Sequence, residues 1–215
     1  MKVLIVHAHE NPNSFCSTLA NQARTSFETL GHTVELSDLY LNRFNPVGGK
    51  HDFQNLSEAD YYKYATEQLH AHKHNAFVPE LQTEMEKLVD ADLLIFNFPL
   101  WWFDMPAILK GWVDRVLAYG FAYGGDYGFF DKGRFKGKQA FLCVTTGSPA
   151  EFYTPGGAHG RTLTDILKNI HQSVLGLIGF TVLPNFEAYG VSRISNENRT
   201  QILVDYQNYI KKHFT

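Results

Sequence analysis

Cysteine is scarce in this chain of 215 residues, which has only Cys16 and Cys143, far apart in the sequence. Such a pair predicts neither a disulfide framework nor a cysteine-based metal site, so we expect free thiols and a reducing compartment. Apolar runs are also short. None approaches the roughly 20 residues that cross a bilayer, and residues 3–6 are too few for a secretory signal. We therefore predict a cytoplasmic protein without membrane insertion.

The chain also lacks an excess of either charge. Its net charge of -3 and its pI near 6.3 give no electrostatic attraction to nucleic-acid phosphates or to anionic lipids. Nucleic acid is therefore not an expected partner, and a small molecule is favoured. Because 44% of the residues are hydrophobic, the chain is able to bury a sizeable core without cross-links.

Short apolar runs alternate with segments of helical periodicity, which is typical of a parallel sheet covered on both faces. The runs predict five strands, at residues 3–6, 33–36, 92–98, 139–145 and 180–183 together with 187–189. Helices are predicted at residues 14–30, 79–90, 108–117, 162–177 and 195–212. We expect a single domain over residues 1–215, with an excursion at about 42–78 that is functional, partly helical or an oligomer contact.

Three loops of such a doubly wound sheet converge beyond the carboxyl ends of the strands, where ligands bind. The loop after the third strand places Trp101, Trp102 and Phe103 between Pro99 and Pro106. This is a flat surface suited to an aromatic cofactor, and an aromatic core corner is the alternative interpretation.

The loops after the first and fourth strands are polar. The first contains His9 and Ser14 ahead of a helix, without the glycines or lysine of the common phosphate loops, so amides, hydroxyls and His9 would hold phosphates. The second begins Thr145-Thr146-Gly147. Beyond it, Tyr153 and His159 either lie close together and face a developing negative charge or are incidental.

These segments together resemble the flavin-dependent NAD(P)H:quinone oxidoreductases, the flavodoxin-like group that includes DT-diaphorase. The resemblance covers nearly the whole chain, which looks like a short bacterial-type member. It runs through Phe44-Asn45-Pro46, Phe98-Pro99-Leu100, Pro106-Ala107-Ile108-Leu109-Lys110-Gly111-Trp112, Thr145-Thr146-Gly147 and His159-Gly160. The fold it implies is an α/β flavodoxin-like sheet of five parallel strands in the order 2-1-3-4-5, with helices on both faces.

The resemblance also implies site residues. Those matching cofactor-binding positions are His9, Ser14, Phe15, Cys16, Pro99, Leu100, Trp101, Trp102, Phe103, Thr145, Thr146, Gly147, Tyr153 and Arg199. The catalytic positions match Tyr153 and His159, and the substrate pocket matches Trp102, Phe103, Tyr123, Tyr127, Tyr153 and His159. Trp101 departs from the family pattern, in which long members carry Gln.

The implied reaction is a ping-pong, two-electron reduction of quinones by NAD(P)H through a bound flavin. FAD is favoured over FMN because of His9, Ser14 and Arg199. A homodimer is implied as well, and an exposed aromatic surface around Trp112 and Tyr123 would fit it. Two alternatives remain: a flavin-binding regulatory subunit of a potassium-efflux transporter, and a flavodoxin-like electron carrier. We expect no metal site, although His70, His72 and His74 stand close together.

Overall fold

The computed structural model describes residues 1–58 and 60–215. Its centre is a parallel sheet formed by β1 (Lys2–His7), β2 (Thr33–Asp38), β3 (Leu93–Pro99), β4 (Gln139–Thr145), β5 (Thr181–Val182) and β6 (Phe186–Ala188). The strand order is β2-β1-β3-β4-β5, and β6 pairs with β4 beyond β5. The predicted order is therefore confirmed, and the two segments predicted at 180–183 and 187–189 are present as the short strands β5 and β6.

Helices cover both faces of this sheet. They are α1 (Phe15–Thr29), α2 (Tyr64–His74), α3 (Pro79–Asp90), α4 (Ala107–Val116), α5 (Leu163–Ile166) and α6 (Asn196–Phe214). Alternate residues of β1 divide between two cores: Leu4 and Val6 face one side, whereas Val3 and Ile5 face the core closed by α1 and α6. Both faces of the central strands are thus buried, as continuous apolar runs predict. Among the described residues, no helix has the length and hydrophobicity that a membrane span requires.

The helix predicted at residues 162–177 is wrong in its geometry. After the short α5, residues Ile170–Gly176 form a π-helix. In a π-helix the turns are wider, so Ile170 and Leu175, five positions apart, are buried, whereas Val174 is only partly covered. A search for spacings of three and four residues does not reveal this pattern.

The excursion at residues 42–78 contains α2 and a short 3-10 turn at Lys50–Asp52, so it is partly helical. The guanidinium of Arg115 on α4 anchors it: Nε and Nη2 donate to Asp52 Oδ1 at 3.0 and 2.8 Å. Tyr64 donates its hydroxyl to the same carboxylate at 2.5 Å. The excursion therefore packs on the body of the domain through a buried ion pair.

Trp112 does not contribute to an exposed aromatic surface, and that expectation is wrong. Its side chain is fully buried on α4 against Phe96, and the indole N–H donates to Glu84 Oε2 at 2.8 Å. Tyr123 is partly buried beside Tyr119. The helical spacing that places Trp112 on the apolar stripe of α4 also places it in the core.

The histidines at positions 70, 72 and 74 belong to α2. The rings of His70 and His74 lie one helical turn apart, with centroids separated by 4.5 Å, and His72 faces Phe121 instead. In the part of the chain that the structure describes, no group of three or more His, Cys, Asp or Glu side chains is placed to hold a metal ion.

Candidate functional site

A cleft of about 640 Å³ opens at the carboxyl edge of the sheet, where the loops after β1, β3 and β4 meet. This is where the topology of a doubly wound sheet places a ligand. Most of the predicted cofactor-binding residues line it: His9, Ser14, Phe15, Cys16, Pro99, Leu100, Trp101, Thr145, Thr146, Gly147 and Arg199. Trp102, Phe103 and Tyr153 do not.

One end of the cleft is the amino terminus of α1. Ser14 is the N-cap, and its Oγ accepts the Ser17 N–H at 3.0 Å. The next two amides, those of Phe15 and Cys16, donate to no acceptor in the described residues. Two free N–H groups at the positive end of a 15-residue helix form a seat for an anion such as a phosphate.

His9 lies beside this seat with its ring 6.3 Å from that of Trp101. Its Nδ1 accepts the Asn11 N–H at 3.1 Å. Glu10 Oε2 is 3.3 Å from the same nitrogen, but the amide hydrogen already points at it, so we assign Nδ1 as the acceptor. His9 Nε2 then has the proton and is the donor available to a ligand.

Cys16 forms part of the cleft wall and is almost fully buried. Burial raises the pKa of its thiol to about 12, which keeps the sulfur protonated and neutral. The predicted contribution of Cys16 to the site is therefore its amide and its shape, not a thiolate.

The loop after β3 contains a strained aromatic turn. Trp101 and Asp104 exchange two backbone hydrogen bonds of 3.1 Å, and the two residues between them have positive φ, 51° at Trp102 and 63° at Phe103. This is a type I′ turn, in which Asn and Gly are the usual residues. Trp102 is 95% exposed, so its ring stands in solvent at the tip of the turn.

The loop after β4 forms part of the cleft wall and is held in place by hydrogen bonds. The Thr145 carbonyl accepts the Leu100 N–H at 2.8 Å, which joins this loop to the aromatic loop. Thr146 donates its hydroxyl to the Ser148 carbonyl at 2.7 Å, so that hydroxyl is not free to donate to a ligand. A Cβ built on Gly147 would meet nothing within 4 Å, and its backbone therefore faces open space.

Tyr153 and His159, which the sequence left as either neighbours or incidental residues, lie side by side with ring centroids 6.2 Å apart. Phe103 contacts His159 at 4.5 Å between centroids and so connects the pair to the aromatic turn. His159 Nδ1 is buried and has no hydrogen-bond partner among the described residues. An unpartnered buried ring nitrogen is rare in a folded protein and marks His159 as a position that packing alone does not explain.

Two members of the predicted substrate pocket are not brought to this site within one chain. Tyr123 contacts Tyr119, and Tyr127 lies under the guanidinium of Arg134, 4.9 Å from the ring centroid. Their place in the pocket stays a prediction that requires a second subunit.

Several residues of the cleft were missed from the sequence. Asn13, Thr18, Val191 and Ser192 line it, and the Val191 carbonyl accepts from Arg199 Nη2 at 3.1 Å. Beneath the cleft, His7 and Asn97 are buried and bonded to each other. Both are polar residues in otherwise apolar strands, and that pattern could have identified them.

A family model described as a flavodoxin-like fold matches residues 1–214. The ribosyldihydronicotinamide dehydrogenase [quinone] of Mus musculus is 40% identical over 211 residues, 98% of this chain and 90% of the mouse protein. The NAD(P)H dehydrogenase [quinone] 1 of Cavia porcellus is 37% identical over 212 residues, 98% of this chain and 76% of the guinea-pig protein.

The chain belongs to the family of flavodoxin-like NAD(P)H:quinone oxidoreductases. A solved structure agrees: a candidate quinone reductase from Klebsiella pneumoniae superposes with a TM-score of 0.95 at 35% identity, covering 100% of this chain and 85% of that one. Most of the cofactor-binding positions carried over from the sequence line the cleft, and Phe103, Tyr153 and His159 contact one another without lining it.

Proposed function

We propose that this protein is a flavin-dependent NAD(P)H:quinone oxidoreductase that binds FAD in the cleft. The observation that carries the proposal is the arrangement of Phe103, His159 and Tyr153 beside a cleft whose other end offers free helix amides. Bound flavin would supply hydride acceptance from NAD(P)H and hydride delivery to a quinone, in alternating half-reactions at one site.

The residues present fit a flavin with a phosphate tail. The amides of Phe15 and Cys16 and the Nε2 donor of His9 would hold the pyrophosphate. The ring would lie against Pro99, Leu100 and Trp101, with the exposed backbone of Gly147 at its polar edge. Arg199, held by the Val191 carbonyl, lies at the cleft wall where the adenosine half would extend. This correspondence supports FAD over FMN.

Tyr153 and His159 would stabilise the negative charge that builds up on the ring edge as it accepts a hydride. The phenol of Tyr153 and the imidazole of His159, whose rings lie side by side, are the groups that would meet such a charge. Trp102 and Phe103 would form the surface on which nicotinamide and quinone stack in turn.

A homodimer would complete the pocket. Tyr123 and Tyr127 lie away from the cleft of their own chain, so in the proposed assembly they line the pocket of the partner. The alternative of a regulatory subunit for a potassium-efflux transporter is not favoured by any contact in the structure.

The test is to purify the protein, record its absorbance spectrum and identify the released cofactor by chromatography. A flavin spectrum, release of FAD and rapid reduction of a quinone by NADH or NADPH are expected. A colourless protein that binds neither FAD nor FMN would contradict the proposal. Co-purification with a membrane transporter and slow quinone turnover would favour the regulatory alternative.

A further inference from the structure

A chain of hydrogen bonds between buried polar side chains lies beneath the end of the cleft formed by the amino terminus of α1. It joins His7 at the end of β1, Asn97 on β3 and the first turn of α1. Apolar packing does not account for polar side chains at these positions. His7 is 2% exposed and Asn97 is 1% exposed. Burial of two polar side chains in the centre of a sheet is costly unless they are hydrogen-bonded. Both ring nitrogens of His7 and the NH₂ group of Asn97 are bonded, whereas Asn97 Oδ1 has no partner in the described part of the chain.

The direction of each hydrogen bond can be assigned. Asn97 Nδ2 lies 3.0 Å from the Cys16 carbonyl and 2.9 Å from His7 Nδ1. Because the carbonyl can only accept, the amide must point its NH₂ group at both atoms, so His7 Nδ1 is an acceptor. The proton of the neutral ring is therefore on Nε2, which donates to Ser17 Oγ at 3.0 Å.

Ser17 extends this chain of hydrogen bonds from His7 into the loop between β1 and α1. Its hydroxyl donates to the Asn11 carbonyl at 2.9 Å, so its oxygen accepts from His7 and from Ser14 Oγ, 2.9 Å away. The hydroxyls of Ser14 and Ser17 are both used within the protein. The Ser14 hydroxyl, expected from the sequence to hold phosphate, instead belongs with that of Ser17 to the cap that holds the helix amides in place.

We propose that His7 is a positioning residue for the flavin phosphates, acting through Ser17 on the amides of Phe15 and Cys16. Its bond to Asn97, two residues before Pro99, also joins the phosphate seat to the loop that would hold the flavin ring. This inference rests on the flavin binding proposed above. Burial lowers the pKa of His7, against the opposing effects of the Asp38 carboxylate and the Asn97 backbone, and so favours the neutral ring in the assignment.

The experiment compares ligands that differ only in the phosphate part. Fluorescence titrations would measure the Kd of FAD, FMN and riboflavin for the wild-type apoprotein and for His7→Phe, which retains an aromatic ring but removes both nitrogens. We expect the Kd of FAD and FMN to rise at least tenfold and that of riboflavin to change less than threefold. His7→Gln, which retains an N–H donor for Ser17, should recover part of the loss.

Two controls separate positioning from general destabilisation. Ser37→Ala removes another buried hydrogen bond, the 3.0 Å donation to Glu84 Oε1 on α3, which covers the face of the sheet opposite to α1, and should leave the ratio of FAD to riboflavin affinity unchanged. Nitrogen NMR of the wild-type protein should find the His7 proton on Nε2.

Equal losses for all three flavins in His7→Phe, no loss for any of them, or a proton on Nδ1 would each overturn this inference alone. Failure of the wild-type protein to bind any flavin would overturn the proposed function, and this inference with it.

Discussion

Trp102 combines two unfavourable features, a left-handed backbone conformation and an exposed aromatic side chain. Its φ of 51° is in the left-handed region, and the residue is 95% exposed. For a residue with a Cβ, that conformation costs about 1–2 kcal/mol, and strain of this kind concentrates at functional sites. Trp102→Asn should therefore raise the free energy of unfolding by about 1 kcal/mol, measured by urea denaturation, while quinone turnover falls because the stacking surface is lost.

Phe130 provides a matched control, since its φ is 54° and its side chain is 56% exposed, but it belongs to a 3-10 turn away from the cleft. Phe130→Asn should give a similar gain in stability with turnover unchanged. If Trp102→Asn is less stable than the wild type, its ring makes contacts that a single chain does not reveal.

Tyr153 and His159 are expected to act on the rate of flavin reduction and not on flavin retention. Tyr153→Phe removes the phenol donor and His159→Gln replaces the imidazole by a neutral amide, so reduction by NAD(P)H should slow by about 10²-fold in each variant. Stopped-flow absorbance would measure the rate, and the flavin content of the purified variants would show retention. Tyr209→Phe is the control, because that hydroxyl donates to the Pro184 carbonyl, outside the cleft. Unchanged reduction rates in both variants would remove the pair from the catalytic assignment.

For single residues, the sequence was most informative where a residue type is rare at its position in a strand or loop. Two tryptophans at the end of a strand indicated the aromatic turn, but not its left-handed geometry, which depends on the backbone pairing of Trp101 with Asp104. The proximity of Tyr153 and His159 depends on how one loop turns, since the His159 N–H donates to the Phe152 carbonyl. Spacing along the chain left that outcome open.

At the scale of elements, the excursion at residues 42–78 depends on a single buried ion pair. Arg115 and Asp52 are 1% and 0% exposed in their side chains. Removing one member of a buried ion pair leaves an uncompensated charge, which costs about 3–5 kcal/mol. Arg115→Met should lower the free energy of unfolding by about that amount in urea denaturation and should expose the residues before α2 to proteolysis.

The pair formed by Lys110 and Asp114 on the same helix is the control, since both side chains are about half exposed and lie 2.6 Å apart. Lys110→Ala should cost less than about 1 kcal/mol, as exposed ion pairs usually do. Equal effects of the two substitutions would show that the Arg115 contact does not fix the excursion.

The helices and strands that are encoded by local sequence signals were predicted best. The bounds of β4 agree with the apolar run at residues 139–145, and Ser14 and Ser195 cap α1 and α6, whose predicted bounds start at those residues. The anchoring of residues 42–78 joins partners 63 positions apart, and no local pattern encodes it. The π-helix Ile170–Gly176 contains the same hydrophobic residues that predicted an α-helix there. The two conformations differ only in which of these residues are buried.

For the whole molecule, the alternation of strands and helices was enough to place the site before any distance was known. A parallel sheet with both faces covered leaves its carboxyl edge as the place where loops meet, and the cleft is found there. The alternation did not predict the buried hydrogen bonds beneath the cleft. The buried chain through His7 and Asn97 requires that β1 and β3 be neighbours, which follows from the sheet order.

Bound flavin should stabilise the folded protein as a whole, because the cleft is built from three loops of one sheet and exists only in the native state. At a free FAD concentration 100 times the Kd, binding adds about 2.7 kcal/mol to the free energy of unfolding. For a chain of this size, removal of flavin should therefore lower Tm by about 5–10 °C. Differential scanning fluorimetry of holo- and apoprotein would measure the difference, and titration of FAD into the apoprotein should raise Tm progressively. His7→Phe should need at least ten times more FAD for the same rise in Tm. Identical Tm values with and without flavin would mean that the cleft does not hold it.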